Sequence, residues 1–299
     1  MTEAYTWRNY RCTYNVAGNP ENSATNTPLL SIHPIGVGLS SQFWQRFSHQ
    51  WHEQGYKNTI YNPDLLGCGD SDMPHIAYYP IDWAEQLNYF IETVIQQPVI
   101  LLVQGALLPI AIKLAGLQTE SKTGINWIEK IILSGPPPWP LMIKATDPIK
   151  QKINWNLFFD SPLGNGFYRY ARTRNFLASF STKQLFASPA GVDEEWLSTL
   201  RQGAANMASR YAVFSFLAGF WRENYQAQIA AMTQPTLVVM GDKASSISKE
   251  GKEETADARL AQYLKHLPNG EGIKISGRNV LPYESTDEFV RAIAPFVNR

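Results

Sequence analysis

The chain has 299 residues, 44% of them hydrophobic and 17% charged, which is enough apolar material for a large core and an inserted segment. Its 26 lysines and arginines offset 26 aspartates and glutamates, leaving no net field to draw nucleic acid or an anionic membrane. Two cysteines, Cys12 and Cys68, exclude a disulfide framework and offer no metal-ligand spacing, and with no signal-like or membrane-spanning apolar run a cytoplasmic protein without cofactor is expected.

Residues 5–17 alternate aromatic or apolar with polar side chains (Tyr5, Trp7, Tyr10, Cys12, Tyr14, Val16), the two-residue period of edge strands. Asn19 to Thr27 reads as a turn-rich loop. Leu29 to Ile32 is a short strand that runs into His33-Pro34-Ile35-Gly36-Val37-Gly38, a glycine-bearing loop that lets backbone approach a ligand. Phe43, Trp44, Phe47 and Trp51 mark an amphipathic helix, and Asn58 to Tyr61 a further strand. The loop Pro63 to Asp72 follows, then a helix over Trp83 to Ile95.

The centre of the pattern is Val99 to Val103, an unbroken apolar run suited to a strand covered on both faces. Gly105 gives the turn backbone freedom, and from Ala106 the spacing becomes helical, with Pro109 in the first turn where its missing N–H costs little. Ile128 to Ser134 is the next strand and stops at Gly135 and three prolines. Residues 139–230 show helical patterns rich in aromatics, among them Phe158, Phe159, Phe167, Tyr168, Tyr170, Phe214 and Trp221. They are expected to form a helical lid, as core packing or as the wall of an apolar pocket. Strand signal returns at 235–240 and 272–276, and helical spacing at 256–266 and 286–297. This alternation predicts an α/β fold, a mostly parallel sheet flanked by helices, with core residues 1–136 and 231–299 divided by a lid at 137–230.

Four landmarks resemble the α/β-hydrolase superfamily: His33-Pro34-Ile35-Gly36, Asp64 to Asp72, the strand-turn-helix at 98–115, and Pro235 to Asp242. The resemblance implies a nucleophile, an acid and a histidine in that chain order. Gln104-Gly105-Ala106-Leu107-Leu108 aligns with the nucleophile turn, so the nucleophile position holds Ala106. The acid position is Ala244, with Asp242 nearby, and Val280 stands where the histidine belongs. Gln104 and Leu108 are larger than the family's flanking residues, so the turn is expected to be relaxed or to place its unusual dihedral on Gly105. By the same resemblance the oxyanion donors are the backbone amides of Ile35 and Leu107.

The remaining polar residues have plain readings. By the same resemblance His33 is a structural histidine, and Cys68 reads as an inert thiol with nothing basic close in sequence. His75 lies on a loop leading toward the cleft; Asp64, Asp70 and Asp72 read as turn caps rather than metal ligands; Asp242 reads as a solvated pair with Lys243. His33, Gln104, Leu108, Cys68, His75 and Asp242 are the candidate pocket residues. Two functional readings follow. One is a non-catalytic homologue that binds a small apolar ligand or a protein partner; the other is a hydrolase or lyase that uses non-triad residues.

Overall fold

The structure, a computed structural model, describes residues 2–19, 26–120 and 125–299; the loop expected over Asn19 to Thr27 lies mostly outside them. Eight strands form one sheet in the order β1-β2-β4-β3-β5-β6-β7-β8. They are β1 (Thr2–Trp7), β2 (Tyr10–Ala17), β3 (Leu29–Ile32), β4 (Ile60–Pro63), β5 (Val99–Gln104), β6 (Ile128–Ser134), β7 (Thr236–Gly241) and β8 (Gly270–Ile275). The alternating stretch at the N-terminus is not one edge strand. It is a hairpin, turned by Arg8 and Asn9 in the left-handed region, and β2 lies inside the sheet, antiparallel to β4. From β4 to β8 neighbouring strands run parallel.

Helices connect the parallel strands. Before β5 come α1 (Gln45–Glu53), preceded by a 3-10 turn at Ser41–Trp44, and α2 (Pro80–Phe90), extended by a π turn to Ile95. A 3-10 turn at Gly105–Leu107 leads into α3 (Leu108–Glu120), with Pro109 in its first turn. Between β6 and β7 the described structure is entirely helical: α4 (Trp139–Ile143), α5 (Pro148–Ile153), α6 (Pro162–Ala171), α7 (Arg174–Phe180), α8 (Glu194–Gly203), α9 (Arg210–Leu217) and α10 (Gln226–Ala230). Then follow α11 (Ala256–His266), α12 (Leu281–Glu284) and α13 (Thr286–Val297).

The two-residue period of the strands sorts the core onto the two faces of the sheet. Leu101 and Val103 of β5 join Ile32, Leu133 and Met240 on one face, against Trp83, Leu87 and Phe90 of α2 and Ile110 and Leu114 of α3. Ile100 and Leu102 join Ile132 and Val239 on the other, against Phe47 and Trp51 of α1 and Phe289 and Ile293 of α13. A strand covered on both faces has no room for polar alternation, which is why β5 is apolar throughout until Gln104.

The aromatic segment is only partly core. Tyr168, Tyr211, Phe214 and Trp221 are buried, but Phe158, Phe167 and Tyr170 are exposed together with Ile149, Leu157 and Leu163.

Candidate functional site at the end of β5

Ligands of open parallel sheets sit beyond the carboxyl ends of the strands, and the segments that follow β5, β7 and β8 carry Ala106, Ala244 and Val280. The left-handed dihedral of the turn falls on Gly105, at φ +64°, and Ala106 is outside that region. Glycine occupies this conformation without a Cβ clash, so the turn stores none of the strain a nucleophile residue would carry. A Cβ built on Gly105 would meet no atom within 4 Å; the turn has room for a side chain and presents none. The neighbour, Ala106, offers only a methyl group, which has no lone pair with which to attack.

The loops bearing the other two positions are tied to each other. Ser245 N–H donates to Asn279 Oδ1 at 3.3 Å, and Gly277 N–H to Asp242 Oδ1 at 3.0 Å. Asp242 therefore anchors the 276–280 loop instead of pairing with Lys243. Val280 is 3% exposed and packs with Leu281 and Tyr283. Val280 thus presents its side chain to hydrocarbon, not to the end of β5.

Gln104 closes the arrangement from the sheet side. Its Nε2 donates to the Asn279 carbonyl at 2.6 Å, while its Oε1 is buried with no hydrogen-bond partner among the described residues. Asn279 then reaches the helical segment, donating from Nδ2 to the Gln184 carbonyl at 2.7 Å and from its backbone N–H to the Leu185 carbonyl at 3.1 Å. Arg278 adds a bond from Nη1 to the Lys183 carbonyl at 2.6 Å. Glu284 receives Ala187 N–H on one carboxylate oxygen and Arg278 N–H on the other. The segment 183–187 is held by this group of backbone and side-chain bonds directly beside the turn. Asn279 and Arg278 escaped the sequence reading because their partners on β5 and in the helical segment lie 92 to 175 residues away and leave no local signal.

The glycine loop after β3 behaves differently from its sequence expectation. The backbone it admits is that of α8. A Cβ on Gly38, at φ +78°, would lie 1.8 Å from the Leu200 carbonyl oxygen, and one on Gly203 would lie 2.2 Å from the Gly38 carbonyl oxygen. Two glycines facing each other allow α8 to touch the loop backbone to backbone. Ile35, earlier in that loop, is half-buried, and its N–H donates to no other described residue. Leu107 and Leu108 are buried, at 1% exposure each.

The remaining candidates do not converge on the turn. His33 is fully buried. Its Nδ1–H donates to the Pro34 carbonyl at 2.8 Å and its Nε2 accepts Leu65 N–H at 3.2 Å, so both ring nitrogens are engaged. Burial holds the imidazole below its ordinary pKa of 6.5, opposed by the nearby Asp64 carboxylate. Asp64 itself is a buried hub that accepts Ser41 N–H, Thr13 Oγ1–H and Asp70 N–H. Cys68 is a buried free thiol pushed upward by burial and then by Asp64, the reverse of activation. Ser134, beside Gln104 in the sheet register, carries a buried hydroxyl with no hydrogen-bond partner among the described residues. His75 sits at the seam between core and helical segment, its Nε2 2.7 Å from Asp160 Oδ1 and its ring stacked 4.1 Å from that of Tyr211. No group of three or more metal-ligating side chains occurs among the described residues.

An open groove of about 650 Å³ lies elsewhere, lined by Asn15, Gln42, Gln45, His49, His52 and Asn62 among others; residues 104–108, 242–246 and 276–280 do not line it.

Solved structures superpose along nearly the whole chain. A bromoperoxidase from Bacillus anthracis is 20% identical, with 97% of this chain and 96% of that one covered and a TM-score of 0.70. The CarC serine hydrolase involved in carbazole degradation is 17% identical, with 99% and 98% covered and a TM-score of 0.72. A thermophilic esterase from Thermogutta terrifontis is 16% identical, with 98% and 96% covered and a TM-score of 0.70. No curated protein matches the sequence. At these identities the likeness speaks for the fold, and the family model carries the assignment: the model described as the alpha/beta hydrolase family matches residues 29–292, and the chain belongs to that family.

Proposed function

We propose that this protein is a non-catalytic member of its family that acts by binding. The observation that carries the reading is the state of the turn after β5, where the left-handed residue is Gly105 and the next is Ala106. The chemistry of the fold needs a nucleophile there, a base to take its proton and an acid to orient the base. Ala244 and Val280 stand at the other two positions, and Val280 is packed against Leu281 and Tyr283. His33 has both nitrogens engaged in the interior. The half-buried Ile35 amide is a remnant that suits holding a carbonyl or anion without attacking it.

The test is hydrolysis of short acyl nitrophenyl esters by the purified chain, with labelling by a fluorophosphonate. Expected are no labelled residue and no turnover beyond that of free imidazole. The variant Ala106→Ser should behave the same, because Val280 stands where the base belongs and an unassisted hydroxyl is a weak nucleophile. Substantial, phosphonate-sensitive turnover in either protein would overturn the reading. Turnover in the native chain that His75→Ala abolishes would favour instead an enzyme built on the His75–Asp160 pair.

A further inference from the structure

The outer face of the helical segment is apolar where a folded surface is ordinarily polar. Ile149, Ile153 and Leu157 recur at steps of four and are 68%, 49% and 71% exposed. Phe158, Leu163 and Tyr170 continue the face at 54%, 68% and 61%. The exposed rings are tied together through partly and fully buried ones: Phe158 meets Phe159 at 5.7 Å, Phe159 meets the buried Phe214 at 5.0 Å, and Phe214 meets Phe167 at 6.2 Å. Phe167 then meets Phe176 at 6.4 Å and Phe176 meets Tyr170 at 5.2 Å. A connected patch of this kind on a soluble surface marks an interaction site.

Charge identifies the partner. Residues 144–183 hold seven lysines and arginines against two aspartates, although the whole chain sums to zero. Of the two carboxylates, Asp160 is bonded to His75 and Asp147 caps the N-terminus of α5. Lys150, Lys152, Arg169 and Lys183 are exposed and make no ion pair among the described residues. Exposed apolar side chains on a segment that also carries free cations fit the headgroup boundary of an anionic bilayer, where the chains enter the acyl region and the cations meet phosphate. A second copy docked face to face would bring the same positive collar against itself. No described helix is long and apolar enough to cross a membrane, so attachment is peripheral.

The geometry points to this face, α5 through α7, as a docking surface for anionic phospholipid bilayers. It stands independently of whether the fold turns over a substrate. The experiment is co-sedimentation of the full chain with phosphatidylcholine vesicles, with and without phosphatidylglycerol, at low and high salt. Binding is expected only with phosphatidylglycerol and is expected to fall with salt. Lys150→Gln with Lys152→Gln should weaken it about thirtyfold, and Leu157→Ser with Phe158→Ser about tenfold or more. Both pairs are exposed, so each variant should keep the native circular dichroism and melting temperature. Ile273→Ser, an exposed apolar change on β8 at the far edge of the sheet, should leave binding unchanged. Absence of binding to anionic vesicles, equal binding to neutral ones, or insensitivity to both double variants overturns the proposal. So does self-association that Leu157→Ser with Phe158→Ser disperses while vesicles are ignored, which would make the face a protein contact.

Discussion

His33 shows how one buried side chain sets a pH limit on the fold. Its neutral ring is held between the Pro34 carbonyl and Leu65 N–H, and burial lowers its pKa below 6.5 in the folded chain. In the unfolded chain the ring protonates normally, so as pH falls through 6.5 the unfolded state takes up a proton first. The stability it contributes is therefore complete above that value and is lost below it. His33→Asn should cost about 1–3 kcal/mol at pH 7.5, since Leu65 N–H loses its acceptor, and the gap from the native chain should shrink at pH 5.5. Urea unfolding at both pH values checks this; a gap that widens on acidification contradicts it. The structural reading of His33 was available from its loop position. The roles of Gln104 and Asn279 were not, because an amide that bridges strand to distant loop looks the same in sequence as one facing water.

Among the elements, the strands were the easiest to read. The unbroken run of β5 and the two-residue period at the N-terminus are direct imprints of burial on two faces or one, though the second concealed a hairpin. Helix ends were less legible: the spacing from Ala106 fits a helix, while the structure opens with a 3-10 turn and begins α3 at Leu108. The loop 33–38 was read as a place where backbone approaches a ligand. The backbone that Gly38 meets in the fold is that of α8, which makes a distinct prediction. Gly38→Ala places a Cβ against the Leu200 carbonyl at a left-handed φ, which cannot be relieved by a side-chain rotation. A loss of about 3 kcal/mol or more and a fall in melting temperature of about 5 °C or more are expected, with faster amide exchange across 194–203. An unchanged melting temperature would mean that α8 does not rest on the loop in solution.

At the scale of the molecule, net charge was the least informative quantity in the sequence. A sum of zero excluded an electrostatic footprint, yet the helical segment is basic and the remainder acidic. Summation discards position, and only the fold reveals that the segment's uncompensated cations and its apolar side chains are exposed together. The core on the α2–α3 face of the sheet, by contrast, holds both cysteines. Cys12 and Cys68 are free, buried, and joined in the same cluster of side chains, and burial pushes the Cys12 thiol up to about 12. Ellman's reagent should therefore find no reactive thiol in the native protein and two after urea unfolding, released in a single phase coincident with loss of circular dichroism. Early release of one thiol would show that the cluster opens in parts.

The hydrogen bonds from Arg278 and Asn279 to residues 183–186 bear on when the chain can finish folding. The donors follow their acceptors by about 95 residues, so during synthesis the helices are made roughly 5–20 s before their moorings emerge. Over that interval Phe186, wholly enclosed in the finished protein, has neither Arg278 nor Tyr283 to rest against. The nascent helices must wait with an inner surface uncovered, and that is the period in which chaperone contact with this chain is expected to be greatest.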